Sequence, residues 1–226
     1  MNLRERLFEI GKPYWDKIIE QDFIKELSEG TLDEEIYRYY TLQDNSYLEE
    51  FVKVFAIGIS KSNNLEDMKN FLRFMKGAME SETDAHDAFL EKIGITKEMS
   101  LKTQANIVNT SYTNYMISVA STGTAAEAAA AVLTCNWSYQ YIAEKTKDKD
   151  GYKNTFYCKD WYDIYTSDYF KKDVEDNIAM VEKLCVNYTE KQIKHIEDII
   201  KICSEYEYLF WDISYNKGKK VENIVC

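Results

Sequence analysis

Apolar residues recur along this chain at three- and four-residue steps in segment after segment, the repeat of amphipathic α-helices rather than of strands. Leu3, Leu7, Ile10, Tyr14 and Ile18 mark a first helix over about 2–20, which Pro13 is expected to kink or interrupt. A short helical piece around Phe23 to Leu27 ends at Gly30. Thr31-Leu-Asp-Glu34 has the form of a capping box and opens a long helix to about Ser60, with Ile36, Tyr40, Tyr47, Leu48, Phe51, Val54, Phe55 and Gly58 as its inward stripe. Beyond Asn63-Asn64, a helix over about 65–92 is expected to turn Met68, Leu72, Met75, Met79, Phe89 and Leu90 inward, and another over about 103–121 presents Val108, Tyr112, Tyr115, Met116 and Val119.

Thr124 and Glu127 form a further capping box, which starts an alanine-rich helix over 124–144. Its stripe runs through Ala128, Ala131, Val132, Cys135, Tyr139 and Ile142, so Cys135 points inward. A charged connection, Lys145 to Gly151, precedes the aromatic stretch Trp161 to Phe170, expected to interrupt the helices as a buried flap. A helix over about 167–185 follows. Asn187-Tyr-Thr-Glu190 then starts the last long one, to about Tyr215, and the tail 216–226 is expected to fray.

Composition narrows the fold and the partners. One proline and eight glycines in 226 residues leave few breakers, which favours an all-α single domain spanning 1–226. A formal net charge of -11 argues against nucleic acid and against anionic membranes. No apolar run approaches a membrane span, and the acidic, amphipathic N-terminus lacks the apolar core of a signal peptide, so a cytoplasmic location is expected. Five cysteines (135, 158, 185, 203 and 226), without close spacing, fit reduced thiols, and two histidines leave little material for a metal centre.

Several polar residues fall on core stripes. Asp44 lies between Tyr40 and Tyr47, and a carboxylate there needs a partner from the protein or from a ligand. Glu82 and His86 share a stripe one turn apart, a spacing that allows a structural hydrogen-bonded pair. On the last helix Ile193, Ile196, Ile200, Cys203, Glu207, Phe210, Trp211 and Ser214 make the apolar stripe, while Glu205 falls with Lys201, Tyr208 and Asp212 on the polar one. Glu207 is therefore expected to be buried and Glu205 exposed. An inward cysteine alone packs as a small hydrophobe in most folds. Combined with two inward carboxyls and several inward tyrosines, it reads as a helix-lined pocket holding a nucleophile and an acid/base.

Three segments, Tyr39-Tyr-Thr-Leu-Gln-Asp-Asn-Ser-Tyr47, Cys135-Asn-Trp-Ser-Tyr139 and Tyr206-Glu-Tyr-Leu-Phe-Trp211, resemble the signature segments of the TenA (thiaminase II) family in order and spacing over essentially the whole chain. The resemblance implies a heme-oxygenase-like helical bundle without heme or other cofactor, assembled as a homotetramer. It also implies an aminopyrimidine aminohydrolase, converting 4-amino-5-aminomethyl-2-methylpyrimidine to its hydroxymethyl counterpart in thiamin salvage and splitting thiamin. By the same resemblance Cys135 is the nucleophile and Glu207 the acid/base. Asp44 would bind the ring's amino group and a ring nitrogen, and Tyr47, Tyr112, Tyr139, Tyr165 and Phe210 would shape the pocket. Cys135 assigns the chain to the cysteine-containing branch. Asn45-Ser46 departs from the more usual Ser-Tyr, and Glu205 stands where an aromatic is common. Two other readings of the residues stay open at this level: a di-iron oxidase on a helical bundle, and a non-catalytic pyrimidine-binding or regulatory protein.

Overall fold

The computed structural model describes residues 1–79 and 89–219, and these form an all-α chain. Its helices are α1 (Leu3–Ile19), α2 (Asp22–Glu29), α3 (Glu34–Lys61), α4 (Leu65–Met79), α5 (Lys97–Lys102), α6 (Ile107–Thr122), α7 (Ala125–Thr146), α8 (Phe156–Tyr165), α9 (Asp168–Leu184) and α10 (Glu190–Tyr215). Glu82 and His86 lie outside the described residues, as does Cys226. The other four cysteines are free thiols. Among the described residues no helix is long and apolar enough to cross a membrane.

The caps set the phase of these helices. Thr124 and Glu127 close the expected capping box at α7, and Thr189 with Gln192 does the same for α10. At α3 the expected Thr31 box does not form. Asp33 caps instead, its carboxylate accepting from the Glu35 amide at 2.8 Å, since an aspartate two residues nearer the helix reaches the orphan amides first. Pro13 does not interrupt α1, which is helical from Leu3 to Ile19. The helix expected over 103–121 starts later, at Ile107, because the Asn106 side chain accepts from the Asn109 amide and caps α6 there, and the polar loop ahead of it holds the short α5.

The alanine-rich α7 is the central helix. It packs against α1, α3, α6, α9 and α10, and every residue from Ala125 to Leu133 is buried. Small side chains on all sides allow five helices to approach one backbone, which a single amphipathic stripe would not require. Around it, the Trp15 indole donates to the Ser204 hydroxyl at 3.2 Å and packs on Trp137 and Phe8, fixing α1 against α10 and α7. Where α3 meets α4, a Cβ at Gly58 would lie 2.4 Å from the Phe71 ring, so only glycine admits this contact.

Three further expectations are corrected. On α4 the inward residues are Asp67, Phe71 and Phe74, whereas Leu72 and Met79 are exposed. The two phenylalanines bury more apolar area against α3 than the Leu/Met stripe one position away would. The aromatic stretch expected to break the helices is itself helical, with Trp161 and Tyr162 buried on α8. Of the tail expected over 216–226, residues 216–219 form a hydrogen-bonded turn, the Gly218 amide donating to the Ile213 carbonyl at 3.0 Å and Gly218 taking the left-handed conformation that ends α10, while 220–226 lie outside the described residues.

Candidate active site

A cavity of about 520 Å³ opens between α3, α4, α7, α8 and α9. This is within the roughly 300–1,000 Å³ typical of small-molecule sites. Five of the eight residues expected at a site line it: Asp44 and Tyr47 from α3, Cys135 and Tyr139 from α7, and Tyr165 from the end of α8. Glu207, Tyr112 and Phe210 do not form its wall but stand one layer behind. Glu207 is 2% exposed and accepts a hydrogen bond from the Tyr112 hydroxyl at 2.8 Å. The Phe210 ring packs 6.2 Å from Tyr47 and 6.0 Å from Tyr40. Glu205, two residues earlier, is exposed and accepts from Tyr14 at 2.8 Å.

Each side chain owes its place to helix phase. Tyr40, Asp44, Tyr47 and Phe51 recur at three- and four-residue steps on α3, so one face of that helix forms a long wall. Cys135 and Tyr139 are one turn apart on α7. The alanines of α7 do not contribute: Cys135, Asn136 and Tyr139 are its cavity residues, and the alanines pack on neighbouring helices instead.

Burial dominates the electrostatics. With no offsetting partner among the described residues, Asp44 is pushed up to about 7 by desolvation alone. Desolvation also raises Glu207, to about 8; the Tyr112 hydrogen bond opposes the rise and the negative charge of Asp44 adds to it. The Cys135 thiol is held well above its ordinary range, by burial first and then by the Glu207 charge, with a Tyr47 hydrogen bond working the other way. The two groups are coupled: the Glu207 charge raises the thiol, and the thiol in turn lowers the carboxyl. In the free protein near neutrality the sulfur is thus a thiol, and its proton faces a carboxyl that titrates close to neutrality. Tyr40, Tyr47, Tyr112, Tyr139 and Tyr165 are all raised by burial and remain phenols able to donate.

The structure adds wall residues that reading stripes did not single out: Asn45, Asn136 and, from α8, Asp160 and Trp161. Trp161 and Tyr165 stand one helical turn apart and hold Tyr139 between them and Trp211, with centroids 6.0, 4.8 and 5.0 Å away. That four-residue step is legible once the segment is read as helix. Among the described residues no group of three His, Cys, Asp or Glu side chains is arranged to hold a metal ion.

Comparison with known proteins agrees with this architecture. A model of the TENA/THI-4/PQQC family matches residues 11–217. An aminopyrimidine aminohydrolase of Helicobacter pylori is 31% identical over 216 residues, covering 95% of this chain and 99% of that protein. A TenA homologue protein from P. horikoshii OT3 superposes with a TM-score of 0.88 at 25% identity, covering 96% of this chain and 100% of the other. A domain of unknown function with a heme oxygenase-like fold, from Shewanella denitrificans OS217, superposes with a TM-score of 0.75 at 16% identity over 98% of this chain and 95% of the other. The expected all-α, heme-oxygenase-like fold is the fold observed.

Proposed function

The chain belongs to the TENA/THI-4/PQQC family, and on that premise we propose that it is an aminopyrimidine aminohydrolase acting at the Cys135 cavity. In this reading it converts 4-amino-5-aminomethyl-2-methylpyrimidine to the hydroxymethyl compound with release of ammonia, and it also hydrolyses thiamin. The observation that carries the reading is the convergence of a half-buried thiol and two carboxyls with raised pKa, Asp44 and Glu207, beside one aromatic-walled cavity. The name of the Helicobacter pylori relative points the same way.

The residue types suit the chemistry. An amine is a poor leaving group, so direct displacement at the methylene is slow. If Cys135 sulfur adds to the electron-poor ring, the ring gains an electron pair that can expel the amine. Glu207 gives a proton to a ring nitrogen and its carboxylate takes the thiol proton, so the pair crosses from thiol to adduct with no net charge left in the buried layer. The adduct then expels the protonated amine and becomes an exocyclic methylene. Water adds to that methylene, its oxygen bonding to carbon and one of its protons passing to the protein. The C–S bond breaks last, the ring regains aromaticity, and the proton returns to sulfur. Asp44 accepts from the ring's amino group, and the tyrosines stack on or donate to the heterocycle.

No metal or cofactor is assigned to this reaction, and the active form is taken as a homotetramer in the cytoplasm. Sedimentation of the purified protein at micromolar concentration checks the assembly, with a dimer or monomer as the contrary result. An amine-release assay with the aminomethylpyrimidine tests the function: turnover that disappears in Cys135→Ser is expected. Full retention in that variant would favour a non-catalytic binder.

A further inference from the structure

The cavity is larger than one substituted six-membered ring requires, and its extra length runs in a definite direction. One wall is a row of rings on α3 and α4, Tyr47, Phe51, Phe55 and Phe74, with successive centroids 5.1, 4.8 and 6.4 Å apart. The facing wall is a second row, Tyr139, Tyr165 and Phe170, with steps of 4.8 and 5.0 Å. Both rows start beside Cys135 and lead away from α7 toward α4 and α9. The thiol and the carboxyls stand at the inner end, so a substrate whose breaking bond lies beside Cys135 must send its leaving group outward between the rows. Paired aromatic walls suit a flat group.

At the outer end α4 presents Gly77 to the cavity. Among the described residues a Cβ built there meets only the Tyr169 hydroxyl, at 3.4 Å, an ordinary contact. Elsewhere glycines are required by packing: at Gly58 the same construction collides with the Phe71 ring at 2.4 Å. Gly77 also lies inside a helix, where alanine is intrinsically favoured. Among the described residues neither packing nor backbone conformation requires this glycine, whereas the space it leaves in the cavity gives it a use.

We propose that Gly77 is a specificity-determining residue, which keeps the outer lobe open for a flat heteroaromatic leaving group, and that a side chain at this position restricts the enzyme to small amine leaving groups. The inference rests on the aminohydrolase reading given above. Its test compares wild type, Gly77→Ala and Gly77→Leu with thiamin, whose leaving group is a heteroaromatic ring, and with the aminomethylpyrimidine, whose leaving group is ammonia. In Gly77→Leu, kcat/KM for thiamin is expected to fall at least about tenfold relative to kcat/KM for the small substrate, which stays within about threefold of wild type. Gly77→Ala favours the helix and gives a smaller change in the same ratio. An unchanged ratio in both variants, or equal loss on both substrates, overturns the inference.

Calorimetric titration with thiamin and with the hydroxymethylpyrimidine separates this claim from the activity itself. If wild type binds both without turning either substrate over, and Gly77→Leu loses thiamin alone, the lobe assignment stands and the aminohydrolase reading fails. If Gly77→Leu binds both as wild type does, the lobe assignment fails.

Discussion

The Tyr112 hydroxyl donates to Glu207 at 2.8 Å, and both side chains are almost fully buried, at 1% and 2% exposure. This bond aims one carboxylate oxygen and stabilises the charged form. Tyr112 is itself stacked on Tyr206 at 5.2 Å, so the donor is fixed by α10, the same helix that carries Glu207.

The two neighbouring glutamates are expected to separate cleanly. Glu207→Gln keeps the shape but removes the proton carrier, and kcat should fall by about 10²–10⁴ in the amine-release assay, the usual range for a lost general acid/base. Glu205→Gln, whose partner is the surface hydroxyl of Tyr14, should remain within about twofold of wild type. Equal losses in the two variants would contradict the placement of the acid/base.

Thiol reactivity tests the protonation state. Because burial and the Glu207 charge both hold Cys135 as a thiol, its alkylation in the free protein should be slow at neutral pH and rise only on the alkaline side. In Glu207→Gln the charge is gone and the onset should move to lower pH. A Cys135 fully ionised well below neutrality in the wild type would rule out activation through Glu207.

The pH dependence of activity should show a descending limb. If Glu207 must be protonated to give its proton to the ring, kcat/KM falls as pH passes its folded value of about 8. Tyr112→Phe removes the bond that stabilises the carboxylate, so the limb should move to higher pH.

Stability carries the same signature with a worked sign. Glu207 and Asp44 have folded values near 8 and 7, above their ordinary values of 4.5 and 3.8, so the native state binds more protons than the unfolded chain between those limits. Their contribution is fully present below about pH 4, shrinks as pH rises through the folded values, and is flat above about pH 8. For Glu207 the span corresponds to roughly 4–5 kcal/mol at 1.36 kcal/mol per unit. The Glu207→Gln protein should therefore lose less Tm than wild type between pH 5 and 8, measured by calorimetry. Parallel curves would mean that the buried carboxyl is not raised.

Asn109 offers a structural test away from the chemistry. Its side-chain amide donates to the Gln43 carbonyl at 2.8 Å, and the Gln43 side chain in turn accepts from the Asn106 amide at 2.8 Å, tying α3 to α6 through two buried side chains. Asn109→Ala should cost about 1–3 kcal/mol in urea unfolding, the penalty for stranding a buried polar group. A change below about 0.5 kcal/mol would show that the network contributes nothing net.

Periodicity in the sequence was enough to phase α3 and α10, because each carries a long run whose burial tracks a single face, whereas α7 is buried on all sides over its first half. Glu207 and Glu205 were told apart on that ground, and the capping box at Thr124 set the phase that turns Cys135 inward. The same reasoning misphased α4, where two parallel apolar stripes, Leu/Met and Phe, lie one position apart and only contact with α3 selects the phenylalanines. It missed α8 as a helix, since a run of aromatics shows no polar face until neighbouring helices cover it. The sequence by itself therefore determined an all-helical chain with a thiol and two carboxyls on inward faces. Tertiary structure decided that Asp44 and Cys135 meet at one cavity while Glu207 stands behind it, and that the alanines serve helix packing rather than the pocket. It also showed an open lobe ending at Gly77. Those relations depend on where separate helices cross, and spacing along one helix carries no information about distance to another.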